Sequence, residues 1–393
     1  MTDTDKTNPA TKIVQAGIGS DPAYGSVTPP LYLSSTYLWP NPSEKGEYDY
    51  GRSNNPNRTI LADALAELDG GAGAVVTSSG MSAIDLVLNL INAKGLVIAP
   101  HDCYGGTHRL LTHRAVQNRI RVKFVDQTDA KALAKALKKK PALVLIETPS
   151  NPLMRVVDVK AICTAAKAAG AITVVDNTFL TPLRLRPLDL GADIALQSTT
   201  KYINGHSDII GGCVVAKSAA HLEQLAWWAN AAGVTASAFD CQQTLRGLRT
   251  LALRLDAAEK NALAIAKYLE AQDAVTQVYY PGLKSDAGYD LTRKQQSGAG
   301  SMLSFEVKGG LEAATRFCNA LNIFGLAASL GGVESLICLP ETMTHRGMDK
   351  KARRAAGISD SLLRVSVGIE SESDLFADLE TGFAAISLSL IHI

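Results

Sequence analysis

Lys201 stands in "STTKYINGHSD" (198–208), directly after the apolar run "ADIALQ". A lysine at the end of a buried strand, with Ser198 and Thr200 hydroxyls beside it, sits where water is limited. Desolvation and neighbouring positive charge lower a lysine's pKa and make it a nucleophile towards an aldehyde. Ser79, Gly80 and Met81 in "TSSGMSAI" fall where an apolar run hands over to a helix, and the free amides of a helix start suit a phosphate. Alone, a Ser-Gly turn is common. Asp176 closes "AITVVD". A carboxylate there either caps a helix or holds the proton on a heterocyclic nitrogen, and capping is the commoner use of an isolated Asp. Tyr104 in "HDCYGGTHR" precedes two glycines, an aromatic where backbone must pass close to something flat, although a lone tyrosine more often packs.

Together these features reinforce one another. A phosphate cradle, a carboxylate for a pyridinium nitrogen, a ring to stack and a lysine for a Schiff base are the parts of a pyridoxal phosphate site. That coenzyme is an electron sink for a carbanion next to an amino group. Asp176 would deepen the sink by keeping the ring nitrogen protonated.

The elements that must position these residues are legible as apolar runs separated by helical patterns. Candidate strands are 74–78, 95–100, 121–126, 142–147, 171–176, 193–198 and 211–216. Near-continuous apolar strands alternating with helices predict an α/β fold with a mostly parallel seven-stranded sheet covered on both faces. Ligands of such sheets collect at the carboxyl ends of the strands, where Lys201, Asp176 and Ser79 fall. In "NNPNRTILADALAELDGG" Asn55 is the expected N-cap and Pro56 the first helical residue. Leu61, Leu65 and Leu68 form one stripe, and Gly70 and Gly71 stop the helix. After residue 240 a long helix or helix pair leads into a smaller α+β region with strands at "SMLSFEV", "ESLICL" and "LLRVSVGIE".

The expected division is 1–60 as an irregular, proline-rich N-terminal extension, 61–255 as the large domain and 256–393 as the small C-terminal domain. Long irregular segments inside compact proteins usually serve a site or an interface.

A chain of 393 residues with 20% charged residues is globular rather than disordered. Its net charge of +1 provides no global field to recruit nucleic acid or an anionic membrane. The apolar runs fall far short of the roughly 20 residues that cross a bilayer. The polar start "MTDTDKTNPATK" lacks the apolar core of a signal peptide. Cys103, Cys163, Cys213, Cys241, Cys318 and Cys338 include no C-x-x-C pair, so no zinc site is readable and a reduced, cytoplasmic setting is expected. Cys213 reads as a core residue. The basic run "KALAKALKKKP" reads as a solvated helix face.

The motifs "YDYGR", "SSGMSAI", "HDCYGGTHRL", "IETPSNPL", "VVDNT", "STTKYINGHSD", "SLGGVESL", "MTHRGM" and "LLRVSVGIE" occur in the order found in the Cys/Met-metabolism family of pyridoxal phosphate enzymes. The chain resembles that family from about Ile13 to Ala385, and within it is most similar to the bacterial cystathionine gamma-synthases. The resemblance implies the aspartate aminotransferase-like fold, fold type I, and a homotetramer built as a dimer of dimers. It implies that Tyr50 and Arg52 reach a neighbouring subunit's coenzyme phosphate. Gly80 and Met81 amides with Ser198 and Thr200 hydroxyls, beside Ser79, would hold the phosphate within the chain. Tyr104 would stack on the ring, Asn151 meet its 3-oxygen and Asp176 its nitrogen. Arg364, with Ser329 and Asn151, would take the substrate alpha-carboxylate, a planar partner that suits a guanidinium. Arg109 would meet a distal succinyl carboxylate.

Some positions depart from the family pattern. Ala328 stands where a glutamate is usual before "SLGGVESL", Ser53 where some gamma-synthases carry a second arginine, and Asn57 where threonine is usual. Gly106 lacks the cysteine typical of methionine gamma-lyases. The apolar end "ISLSLIHI" is foreign to the family. The implied activity is gamma-replacement, joining cysteine to an O-acylhomoserine, with Lys201 shuttling protons and Tyr104 assisting. Loss of the glutamate weakens recognition of a distal ammonium and keeps a cystathionine beta- or gamma-lyase, or an O-acylhomoserine sulfhydrylase, in view. A coenzyme-binding scaffold without turnover has nothing in the sequence to support it.

Overall fold

In the computed structural model of the chain, residues 7–348 and 350–387 are described. The last six residues of the apolar C-terminal tail and the first six of the polar N-terminus lie outside them. Seven strands make the large sheet: β1 (Gly73–Thr77), β2 (Leu96–Pro100), β3 (Arg121–Val125), β4 (Leu143–Glu147), β5 (Ile172–Asp176), β6 (Ile194–Gln197) and β7 (Gly212–Ala216). Their order is β1-β7-β6-β5-β4-β2-β3. The sheet is mixed: β7 runs antiparallel to both β1 and β6, and the remaining pairings are parallel.

Alternate residues of these strands feed two separate cores. Ile98, Val144, Val175, Ala195 and Val215 face one. Val97, Leu143, Val174, Ile194 and Val214 face the other. Burial on both faces is why the strands read as unbroken apolar runs rather than alternating ones.

The N-terminal segment is irregular apart from a short helix, α1 (Pro9–Gln15), capped by Asn8. In α2 (Pro56–Asp69) the Asn55 side chain accepts from the Asn57 and Arg58 amides, and Gly70 ends the helix at φ 71°. The expected long element after residue 240 is a helix pair, Ala238–Leu248 and Leu251–Glu270. The second of these passes between cores: Leu251 and Leu255 pack with the large sheet, Ala262, Ile265 and Leu269 with the small one.

The small sheet has strands β8 (Val275–Tyr279), β9 (Met302–Val307), β10 (Gly325–Leu326), β11 (Leu336–Cys338) and β12 (Leu362–Ser366), ordered β10-β11-β12-β9-β8. β8 and β10 are the edge strands and carry too little buried apolar pattern to be read as strands from sequence. The basic run forms the helix Ala130–Leu137, with Leu133, Ala136 and Leu137 inward and its lysines exposed. Among the described residues no helix is long and apolar enough to cross a membrane.

Candidate active site

The carboxyl ends of β4, β5 and β6, two helix starts and a loop of the small domain enclose a cleft of about 240 Å³. Beyond β6 the chain makes a tight turn in which the Lys201 amide donates to the Ser198 carbonyl at 3.2 Å and the Gly205 amide to the Lys201 carbonyl at 2.8 Å. Arg254, buried in the helix that joins the two cores, holds this turn from below by donating to the Tyr202 carbonyl at 2.7 Å and the Ile203 carbonyl at 3.2 Å. The Lys201 side chain enters the cleft, and its Nζ donates to Ser329 Oγ at 3.0 Å. Burial lowers the amine from 10.5 to about 8, and the Arg364 guanidinium adds to the effect.

Two helix starts supply backbone. Helix α3 (Gly80–Val87) begins where β1 ends, with Ser79 as N-cap accepting from the Ser82 amide at 3.0 Å. The Gly80 and Met81 amides have no turn behind them to bond to. Residue 80 must be glycine, because a Cβ there would stand 2.8 Å from the Ser198 Cβ. The Ser198 and Thr200 hydroxyls meet at the Gly211 carbonyl, at 3.5 and 3.1 Å. Helix α4 (Gly105–Val116) starts after Tyr104, which lines the cleft and is 43% exposed.

Asp176 and Glu147 are register partners at the ends of β5 and β4. Asp176 Oδ1 accepts from the Thr178 amide at 3.0 Å and hydroxyl at 2.6 Å, so it closes a local turn rather than capping a helix. Burial raises its pKa, and the Thr178 bonds oppose the rise. Glu147 accepts the Tyr104 amide at 2.9 Å. Burial pushes its carboxyl well above the ordinary range, and the Asp176 charge pushes the same way. The pair therefore keeps a proton at pH values where exposed carboxylates have lost theirs.

On the small-domain side Arg364 lies on β12 and is 2% exposed. It donates from Nη1 to Asn151 Oδ1 at 3.0 Å and from Nη2 to the Ser329 carbonyl at 3.1 Å. Its Nε is buried and finds no partner among the described residues. A guanidinium whose hydrogen bonds go only to neutral acceptors keeps its charge uncompensated and is prepared for an anion.

Of the residues expected from sequence, Ser79, Gly80, Met81, Tyr104, Asn151, Asp176, Ser198, Thr200, Lys201 and Arg364 all line this one cleft, and Ser329 touches it through Lys201. Three do not join them. Arg109 is exposed on α4, and Tyr50 and Arg52 lie in the N-terminal segment, with Arg52 donating to the Asn230 side chain and carbonyl at 2.7 Å. Glu147, Thr178 and Arg254 were not singled out from sequence. Glu147 was within reach of the same reasoning, as a polar residue ending an apolar run. Arg254 gave no signal, because one arginine in a charged helix looks like any other.

The donor set fits pyridoxal phosphate. Free helix amides with two hydroxyls suit the phosphate, Asp176 would be drawn to its charged form by a protonated ring nitrogen, and Lys201 offers a weakly basic amine.

Comparison with known proteins agrees with this chemistry. The family model described as "Cys/Met metabolism PLP-dependent enzyme" matches residues 10–384. The chain is 53% identical to cystathionine gamma-synthase of Escherichia coli (strain K12) over 377 residues, 96% of this chain and 98% of that one. It is 42% identical over 370 residues to cystathionine beta-lyase of Lactococcus lactis subsp. cremoris (strain MG1363), 94% of this chain and 97% of that one. Among solved structures, cystathionine gamma synthase from Xanthomonas oryzae pv. oryzae, in complex with cystathionine, superposes with a TM-score of 0.96 at 53% identity. That match covers 97% of this chain and 99% of that one. The chain belongs to the Cys/Met-metabolism family of enzymes that depend on pyridoxal phosphate.

Proposed function

We propose that the enzyme carries out gamma-replacement, joining L-cysteine to O-succinyl-L-homoserine or another O-acylhomoserine to give L-cystathionine and the free acid. The observation that carries this reading is the convergence of Lys201, Asp176 and Arg364 on one cleft, in a chain similar along its length to gamma-synthases. When bound, pyridoxal phosphate supplies the electron sink for a carbanion next to the amino group. Asp176 would hold the ring nitrogen, Tyr104 stack on the ring, and Asn151 meet the 3-oxygen. Gly80, Met81, Ser198 and Thr200 would hold the phosphate.

Arg364 and Asn151 bind the substrate alpha-carboxylate and so orient the alpha C–H bond. Lys201, once free of the coenzyme aldehyde, takes the alpha proton. A base with its pKa near 8 both accepts and releases protons near neutrality, as a shuttle must. With pyridoxal phosphate bound, Lys201 would pass that proton to the electron sink the coenzyme supplies and, neutral again, take a beta proton. The acyl group would leave the gamma carbon as the free acid, the cysteine thiol would add there with loss of its own proton, and the proton transfers would reverse. Arg109, exposed on the helix that Tyr104 opens, would meet a distal succinate carboxylate. Purified protein given O-succinylhomoserine and cysteine should yield cystathionine, and its absence would overturn the reading.

A second reading, cleavage of cystathionine or use of sulfide, rests on the similarity to a cystathionine beta-lyase, and Ala328 favours its sulfide form, since sulfide brings no distal ammonium to bind. This residue lines the cleft where the family pattern has a glutamate. Cystathionine alone decides between the outcomes: pyruvate with homocysteine means beta cleavage, and 2-oxobutyrate with cysteine means gamma cleavage.

The division into an extension (1–60), a coenzyme domain (61–255) and a small domain (256–393) belongs to the same proposal, as does a cytoplasmic homotetramer with sites shared between subunits. Exposed Tyr24, Leu33 and Leu38 on the extension support an interface, since large apolar groups at 93%, 74% and 97% exposure are costly in water. Tyr50 and Arg52 lie away from their own chain's cleft, as reaching into a neighbour's requires. Mixing inactive Lys201→Ala and Arg52→Ala proteins should restore activity in hybrid assemblies, and no recovery would sink the sharing of sites.

A further inference from the structure

The loop after β11 contains the motif "MTHRGM", and none of its side chains lines the cleft. His345 is nevertheless 1% exposed. Its Nε2 lies 3.2 Å from the Asn151 carbonyl oxygen and its Nδ1 2.9 Å from Thr344 Oγ1. A carbonyl only accepts, so Nε2 carries the ring proton, and Nδ1 is left to accept from the Thr344 hydroxyl. Burial, followed by the Arg364 charge, lowers the ring's pKa to about 4 and keeps it neutral.

The described part of the loop is held at several points. Arg353 forks onto both Glu341 oxygens at 2.7 and 2.9 Å and also donates to the Met348 carbonyl, while the His345 amide donates to the Pro340 carbonyl at 2.9 Å. From here one line of hydrogen bonds leads into the site: His345 Nε2 donates to the Asn151 carbonyl, and Asn151 Oδ1 accepts from Arg364 Nη1.

We propose that His345 is a positioning residue: it fixes the Asn151 backbone and, through the Asn151 side chain, the plane of the Arg364 guanidinium that receives the substrate alpha-carboxylate. The inference rests on the reading of Arg364 given above. A buried histidine that merely filled space would need no particular tautomer, whereas this role needs a donor at Nε2.

The test compares His345→Leu, which keeps bulk without the donor, with His345→Gln, which keeps a donor, both as holoenzymes. His345→Leu should raise KM for O-succinylhomoserine about tenfold, the scale of one buried hydrogen bond, with kcat and coenzyme content unchanged. His345→Gln should stay within about threefold of the parent. Equal effects of the two substitutions, or a loss confined to kcat or coenzyme content, would overturn the proposal. On the unaltered holoenzyme, nitrogen-15 NMR of the histidine rings should show one buried ring as the Nε2–H tautomer from about pH 6 to 8.5. A ring in that environment that titrates, or carries its proton on Nδ1, would also overturn it. Arg364→Lys separates the two claims. If it leaves KM unchanged, the carboxylate reading falls and this one with it. If it raises KM while His345→Leu does not, only His345 loses its role.

Discussion

Lys201 Nζ donates to Ser329 Oγ at 3.0 Å, so an amine carried by the large sheet is aimed by a loop of the small domain. Gly331 makes that approach possible. It has φ 79°, and a Cβ there would stand 2.8 Å from the Tyr202 amide nitrogen. Its own amide donates to Ser366 Oγ at 2.8 Å, which ties the loop to β12 beside Arg364. The amine and the guanidinium are thereby indexed to one another across two cores.

Removing that contact should slow proton transfer without releasing the coenzyme. Ser329→Ala is expected to lower kcat about tenfold, the scale of one hydrogen bond to a charged or reacting group. Coenzyme content should match the parent. A parental kcat would show that Lys201 finds its position unaided.

Lys201 itself separates holding the coenzyme from using it. Lys201→Ala keeps Asp176, the α3 amides and the two hydroxyls, so it should still bind pyridoxal phosphate while losing the absorbance of the covalent link. Turnover should fall by more than about 10³-fold, as removal of both a nucleophile and a proton shuttle requires. In the parent, the cofactor-free protein should capture the coenzyme aldehyde faster as pH rises, because only the neutral amine attacks. The midpoint should lie near pH 8, where burial and Arg364 have brought the amine, and not near the ordinary 10.5. A midpoint above pH 10 would place the free amine in water.

The large sheet and most of the cleft were legible because one physical rule covers them. Strands buried on both faces appear as apolar runs, and their carboxyl ends carry the polar residues that matter. That rule finds Asp176, Ser198 and Lys201 directly, and it reaches Glu147 when applied without exception. It does not find Arg254 or His345, whose roles depend on which backbone carbonyls the fold brings beneath or beside them. It also says nothing about Arg364, which reaches the cleft from the small sheet and was placed only through a family resemblance. The antiparallel run of β7 escaped for a related reason, since a strand buried on both faces has the same pattern in either direction.

Arg364 gives a test of substrate recognition independent of the coenzyme. Lysine keeps the charge but loses the planar fork that grips Asn151, Ser329 and an incoming carboxylate together. Arg364→Lys should raise KM for the amino-acid substrate by roughly 10- to 100-fold, the range for charge-assisted hydrogen bonds. Coenzyme content should match the parent. An unchanged KM would mean that the carboxylate binds elsewhere.

Glu147 offers the last test, because its effect on stability has a defined sign. Its folded pKa is raised by burial first and by Asp176 second, so the folded protein holds this proton at pH values where the unfolded chain releases it. A carboxyl of that kind contributes fully below its unfolded pKa, and the contribution is lost as pH rises towards the folded value. Glu147→Gln removes the ionisation but keeps a side-chain oxygen to accept the Tyr104 amide. The cofactor-free variant should therefore gain stability relative to the parent as pH rises from 5 to 8, by on the order of 1 kcal/mol or more. Thermal unfolding at the two pH values measures it. A difference between variant and parent that is the same at both would mean that Glu147 titrates like an exposed carboxylate, and that the Asp176 charge has no close neighbour.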